Sequence, residues 1–326
     1  MPALWIALVD IALILVFGIV SPGHVFFNGG NFTNMAEDSA EVTLMAVGVA
    51  FLLGAGELDI SIGANIILSS VVGGKVMVAL SGSPSQVAQS VFPHLAMGVT
   101  VGILVALGTG LAFGLVNAFV VTVLRVNSFI TTLGTLGIGT GLAFVLADGN
   151  NIQDIPTPLQ SSFGVRTLAG TPVTFLVTFV LVLLMWGLLG LTRFGLHTVA
   201  IGSSRQSAER AGIAIRRHLV VLFAMVGVLA GIAGVYDIAR FSTTNISGHQ
   251  TDALAAIAGA VIGGTNLFGG RVSIPGAVFG SFLAEILNTG LVILGMSSFY
   301  QLIAVGVVLI VAVYIRGGVD VRTIRR

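Results

Sequence analysis

The stretch AMGVTVGILVALGTGLAFGLVNAFVVTVL, residues 96–124, contains no Asp, Glu, Lys, Arg or His. A helix needs about 20 mostly apolar residues to cross ~30 Å of hydrocarbon. This run is longer than that, so it reads as a membrane span that tilts strongly or includes a turn. Gly98, Gly102, Gly110 and Gly114 recur in it at spacings that let a neighbouring backbone come close.

Working outward by the same rule gives ten candidate spans: 4–20, 42–54, 62–80, 96–124, 128–147, 173–191, 219–238, 253–267, 274–294 and 301–315. The second, eighth and tenth are short. The expected fold class is all-α, a polytopic membrane protein of about ten transmembrane helices. No loop is long enough for a soluble domain, so residues 1–326 form one domain. Composition agrees. Only 8% of the 326 residues are charged and 56% are apolar, whereas a soluble domain carries about 25% charge. Forty-four residues are Gly, with no collagen period and only 8 Pro, which suits close-packed spans. A net charge of +1 from 14 basic residues offers no phosphate-binding surface, which excludes nucleic acid as a partner. The absence of Cys excludes disulfides and thiolate metal sites. Asp10 and the lack of an early basic cluster argue against a cleaved signal.

Charge placement orients the spans. With the N-terminus inside, Arg125, Arg193, Arg205, Arg210, Arg216, Arg217, Arg271, Arg316, Arg322, Arg325 and Arg326 fall inside. Only Lys75, Arg166 and Arg240 fall outside. That asymmetry follows the positive-inside rule and puts both termini in the cytoplasm. The outside loops are then 21–41, 81–95, 148–172, 239–252 and 295–300, rich in turn-forming residues.

Catalytic signatures are missing. Lys75 follows Gly74, but Ser69 stands at the first P-loop glycine and Val76 where Ser or Thr is required. His24, His94, His197, His218 and His249 show no metal-binding spacing and read as loop or interface residues. No Gly-x-Ser-x-Gly elbow occurs. The chain is read as moving a solute, with no catalytic, metal or cofactor site of its own.

Four polar features stand out. Glu57, Asp59 and Ser61 lie in a Gly-rich break between two spans. Asp59 and Ser61 are read first as caps of the next helix, with solute contact as the sharper alternative. Ser281, Glu285 and Asn288 are spaced to share one helix face, suited to a partner, an interface or a pathway. Ser128, Thr131, Thr132 and Thr135 can bond their own helix backbone. Loop 192–218 is charged, and Ser204 can cap a short surface helix over 205–211 that Gly212 ends. It serves either to set topology or to dock a cytoplasmic partner.

At this loop the chain resembles a known family, the permease subunits of ribose-type sugar ABC importers, over residues 42–315. Gly56-Glu57-Leu58-Asp59-Ile60-Ser61-Ile62-Gly63 is similar to the family's Gly-Gly-Ile-Asp-Leu-Ser-Val-Gly. Phe129 through Leu136, with Thr132, resembles its Pro-Phe-Ile-x-Thr-Leu-Gly-Thr segment. Phe194, Gly195, Ala200, Gly202, Ala208, Gly212 and Ile213 resemble its coupling region. Ile262 through Arg271, including Gly263, Gly264, Thr265 and Asn266, resembles its Gly-Gly-Thr-Ser-Leu-x-Gly-Gly run. Asn288 through Leu291 and Gly295 through Gln301 resemble its C-terminal part.

The resemblance implies a permease fold in the bacterial cytoplasmic membrane, paired with a second permease subunit, identical or not. A cytoplasmic ABC ATPase binds ATP and Mg and docks on Ser203, Ser204, Arg205, Gln206, Ser207, Ala208, Glu209, Arg210 and Gly212. A periplasmic or lipid-anchored binding protein delivers a monosaccharide or polyol. Glu57, Asp59, Ser61, Phe129, Thr132, Gly263, Gly264, Thr265, Asn266, Glu285 and Asn288 are the candidates for the pathway or an interface. Departures from the family pattern are Glu57 in place of Gly, Ser128 in place of Pro, Val272 in place of Gly, and Glu285 in place of a small or apolar residue. The family's Glu-Leu-Asp segment reads Ala253-Leu254-Ala255 here. Glu57 and Glu285 are expected to replace these lost acids near the pathway. The competing reading is an ion-coupled secondary transporter using Glu57, Asp59, Asp237 and Glu285, and a further one is a channel or structural subunit.

Overall fold

A computed structural model describes residues 2–249 and 252–297, with isolated positions 300, 303, 306, 307 and 310. The chain is helical nearly throughout. Helix α1 covers Pro2–Val20, α2 Gly29–Gly54, α3 Ile62–Ser81, α4 Pro84–Ala88, α5 Leu95–Thr122, α6 Ser128–Leu146 and α7 Thr157–Leu159. Then follow α8 Val173–Leu191, α9 Arg193–Ser203, α10 Arg205–Arg210, α11 Ile215–Phe241, α12 Asp252–Ile262 and α13 Ile274–Ile293. A two-residue hairpin, β1 Thr167–Leu168 with β2 Thr171–Pro172, is a small departure from the all-α expectation. Ala169 and Gly170 turn it with φ of 50° and 82°, as such tight hairpins require.

Seven described helices are long and apolar enough to cross a membrane: α1, α3, α5, α6, α8, α11 and α13. The other three expected spans differ. Span 42–54 is the inner part of the 26-residue α2, whose outer turns carry Glu37, Asp38 and Glu41. Its residues from Thr43 to Gly54 are all buried, so it is the core helix of the bundle. Span 253–267 shrinks to the 11-residue α12, about 16 Å at ~1.5 Å per residue. That is roughly half of a bilayer core. It stops at Ile262 because Gly264 turns the chain back with φ +113°. Span 301–315 lies largely outside the described residues.

Small residues hold the bundle together. α3, α5 and α11 meet backbone to backbone. A Cβ on Gly110 or Gly114 of α5 would strike the carbonyls of Gly227 and Phe223 on α11. On the other side of α5, Gly102 leaves 3.0 Å between its would-be Cβ and the Gly73 carbonyl of α3. Gly263 and Gly276 are in mutual contact, as are Gly259 and Gly280, and they join α12 to α13. These are the spacing-four pairs of the sequence at work. Gly137 and Gly141 of α6 differ, because a Cβ on either would touch nothing within 4 Å. Trp5, Ile19, Phe179 and Trp186 are exposed on α1 and α8, an apolar exterior suited to lipid.

The connections sort into two ends. At one end the α2–α3 break meets α6, where Leu58 N donates to Ser128 Oγ at 3.2 Å. It also meets the 263–273 loop, where Gly270 N donates to Gly54 O at 3.0 Å. At the other end Ile152 N donates to Thr244 Oγ1 at 2.8 Å and Ile246 N to Asn151 Oδ1 at 2.9 Å. The expected surface loop 239–252 is not one. Ile246 is buried and packs with Ile67, Leu68 and Val71 of α3. The His249 carbonyl lies where a Cβ on Gly63 would be. The described residues 242–249 fold back into the bundle, so the half-length α12 starts inside it.

Candidate functional site

Helix α10 is built as its sequence suggests. Ser204 is extended, with φ −163° and ψ 106°, and its Oγ accepts from Ser207 N at 3.2 Å, the N-cap role. Gly212 takes φ +81°, and Ile213 N donates back to Ala208 O at 3.1 Å. That is a Schellman closure, which favours glycine at this φ. Ala208 is buried in the main core while Arg205, Gln206, Ser207, Glu209 and Arg210 are exposed. The helix is thus a charged knob on an apolar foot.

Three segments grip this knob. Gly56 closes α2 with φ +77°, Glu57 N donating to Leu52 O at 2.9 Å. This second Schellman turn points Glu57 at α10, and Arg205 bonds its carboxylate. Glu57 is only 5% exposed, so Arg205 supplies the partner that a buried charge requires. Gly202 at the end of α9 packs on the Gly54 carbonyl and on Gly269 and Gly270. α9 is fixed from behind by a 2.8 Å hydrogen bond between Thr198 Oγ1 and His218 Nε2 of α11.

Behind the break runs a buried polar chain. Asp59 Oδ1 accepts from Ser61 N at 2.8 Å and Ser61 Oγ at 2.6 Å. Asn117 Nδ2 donates to Ser61 Oγ at 2.8 Å, and Thr135 Oγ1 donates to Asn117 Oδ1 at 2.7 Å. The chain links the start of α3 to α5 and α6. Asp59 thus closes a turn onto Ser61 just ahead of α3, and Ser61, at the N-cap position with its Oγ spent on Asp59, makes no side-chain cap bond, so the two do not cap α3 as expected.

The remaining candidates scatter. Thr132 Oγ1 bonds its own helix at Ser128 O, 2.8 Å away. Phe129 is 49% exposed and outside this network. Gly263 and Gly264 shape the turn after α12, where Thr265 Oγ1 accepts from Ser273 N at 3.2 Å and Asn266 Oδ1 from Phe268 N at 3.1 Å. Ser281 and Thr43 hydroxyls meet at 2.8 Å, and Glu285 accepts from Thr289 Oγ1 at 2.8 Å. Asn288, expected on the same face, is exposed instead. Glu57 and Glu285 do not share a site, since Glu57 serves α10 and Glu285 lines a separate cavity.

That cavity, of about 210 Å³, lies where α2, α11, α13 and the folded-back segment meet. His249 Nδ1 donates to Asp252 Oδ2 at 2.8 Å and lies 2.9 Å from Glu41 Oε1. Its Nε2 lies 3.5 Å from Asp237 Oδ1. Arg240 pairs with Asp38 and, at 3.5 Å, with Glu37. Glu41, His249 and Asp252 bring ligand atoms within 4.8 Å of one another, close enough to hold a cation.

Residues 31–313 match the family model described as the permease component of a branched-chain amino acid transport system. The chain belongs to this permease family. The permease is 32% identical to the D-allose transport system permease protein AlsC of Escherichia coli over 92% of its length and 87% of the relative's. It is 32% identical to the ribose import permease protein RbsC of Bacillus subtilis, with 92% and 88% covered. It is 30% identical to the galactose/methyl galactoside import permease protein MglC of Haemophilus influenzae, with 95% and 93% covered. No solved structure matches the permease.

Sequence reasoning missed Asn117, the hub of the buried chain, because a lone Asn in an apolar run gives no pattern. It also left His249 a loop residue and counted the acids of the family's Glu-Leu-Asp segment as lost, although Asp252 immediately precedes that segment. The signal was present: Asp237, Arg240, His249 and Asp252 crowd into 16 residues of a chain in which only 8% are charged.

Proposed function

We propose that the permease is the membrane-spanning subunit of an ATP-driven ABC importer for a monosaccharide or related polyol. The observation that carries this reading is the grip on α10. Its exposed charges offer a docking surface, and its foot is tied through Glu57, Gly54 and Gly202 to the break from which α3 starts. A displacement of α10 therefore reaches the Asp59–Ser61–Asn117–Thr135 chain and with it α3, α5 and α6. The three relatives are permeases for allose, ribose and galactose, which supplies the sugar class.

In this reading a cytoplasmic ATPase binds ATP and Mg and docks on residues 203–212. A second permease subunit, copy or paralogue, completes the pair. A binding protein delivers the solute at the opposite end, and alternating access follows the ATPase cycle. The basic end of the bundle faces the cytoplasm, with both termini, in the bacterial cytoplasmic membrane. Ten membrane segments result when α2, the half-length α12 and the 301–315 stretch join the seven long apolar helices. A half-length helix starting within the bundle suits a transporter. An ion-coupled secondary transporter is not favoured, because two of its four proposed acids, Glu57 and Asp59, are committed to Arg205 and Ser61.

The test is co-purification with a co-expressed ABC ATPase from the same organism, then reconstitution into proteoliposomes. ATP hydrolysis stimulated by a sugar-loaded binding protein, with sugar uptake, is expected. Uptake driven by an ion gradient without ATP overturns the reading.

A further inference from the structure

Among the described residues, nine buried side-chain atoms lack a hydrogen-bond partner, and five of them border one cavity. They are both carboxylate oxygens of Asp237, Glu41 Oε1, His249 Nε2 and Thr174 Oγ1. Asp237 is 2% exposed. Buried polar atoms are normally paired, so such a concentration marks a place where something else supplies the partners.

The kind of atom left over identifies the partner. His249 presents Nδ1 to two carboxylates and Nε2 to a third, an arrangement that needs a proton on both ring nitrogens. The ring is then a cation that holds Glu41 Oε1 at 2.9 Å from Nδ1 and meets Asp237 Oδ1 only at 3.5 Å from Nε2, while Asp237 Oδ2 and Thr174 Oγ1 meet nothing. A metal ion satisfies acceptors only, and this cation and Arg240 repel it. A hydroxyl group donates and accepts through one oxygen, so hydroxyls on one ring can serve Asp237, His249 Nε2 and Thr174 Oγ1 at once. Tyr236 and Phe241 add aromatic walls, and Val42 is the single aliphatic lining residue. A branched aliphatic side chain finds little to pack against here. The volume of about 210 Å³ is far above the ~15 Å³ that one water needs and suits a single sugar ring.

We propose that the cavity between α2, α11, α13 and residues 242–249 is a binding subsite for one sugar or polyol, with Asp237 accepting from its hydroxyls, His249 Nε2 donating and Thr174 doing either. The proposal rests on the sugar-importer reading and adds a place within a single permease chain where the solute pauses. Asp252 and the start of the half-length α12 form its floor.

The experiment uses the full-length permease in lipid nanodiscs, titrated with D-ribose, D-allose and D-galactose by saturation-transfer NMR. L-leucine is a parallel arm, and CaCl2 and MnCl2 are tested by thermal shift. At least one sugar is expected to bind. Asp237→Asn should weaken it roughly tenfold and Thr174→Val roughly threefold, as loss of single hydrogen bonds implies. If Asp237→Asn does not fold, Thr174→Val carries the test. Three results overturn the proposal: no sugar binds, binding is unchanged in the variants that fold, or only leucine or a divalent cation acts. ATP-driven uptake by the assembled importer separates the two readings. Uptake unaltered by Thr174→Val and Asp237→Asn removes the subsite and leaves the importer, whereas no uptake of any sugar removes both.

Discussion

Arg205, on a six-residue helix, bonds the buried carboxylate of Glu57 across 148 positions of sequence. The Arg205 side chain is 55% exposed, so the pair contributes at most about 1 kcal/mol to stability. Its value lies in what it joins. Glu57→Gln is expected to move the melting temperature little, whereas Arg205→Ala, which leaves the buried carboxylate unpaired, should lower it. Sugar taken up per ATP hydrolysed should fall severalfold in proteoliposomes. The double exchange Glu57→Arg with Arg205→Glu should recover part of the coupling. Unchanged coupling in both single variants would remove the pair from the transmission path.

Glu209 and Arg210 are exposed and form no ion pair among the described residues. Reversing both charges should leave membrane insertion and the size-exclusion profile intact while uncoupling ATP hydrolysis from uptake. Normal coupled transport would show that the ATPase docks elsewhere.

Gly202 packs on backbone, where a Cβ would run into the Gly54 carbonyl and come within 2.6 Å of Gly270 N. Backbone on both sides cannot rotate away, so Gly202→Ala should cost at least the 1–3 kcal/mol or so typical of overpacking. Gly137→Ala meets nothing within 4 Å and should lie within about 1 kcal/mol of the parent. Thermal unfolding followed by fluorescence-detected size exclusion compares them, and equal behaviour would count against the tight contact.

Asn117→Leu takes from the buried Thr135 hydroxyl its 2.7 Å acceptor, leaving only Thr132 O at 3.4 Å, while Ser61 Oγ still donates to Asp59. A stranded buried group costs about 1–3 kcal/mol. Adding Thr135→Val removes one stranded group and should return part of that loss. A double variant no more stable than Asn117→Leu alone would mean the chain is not cooperative.

Long apolar runs made most helices legible, because the bilayer demands length and apolarity together. Ser204 and Gly212 gave away α10, since capping chemistry is local. The partner of Glu57 was not legible, because nothing in residues 56–63 names Arg205. The folded-back segment 242–249 escaped for a physical reason as well: its polar residues look like a surface loop whether they face water or an internal cavity. Ile246 against α3 and the His249 carbonyl over Gly63 tell the two apart.

The glycine seam between α5 and α11 has an entropic consequence. Lipid tails are as apolar as leucine, so no hydrophobic effect drives two helices together inside a bilayer. What association loses must therefore be kept small. At Gly110, Gly114 and Gly227 there is no side chain whose rotamers freeze on contact, so the side-chain part of the ordering cost vanishes there. Dispersion between facing backbones is gained with almost nothing immobilised in return.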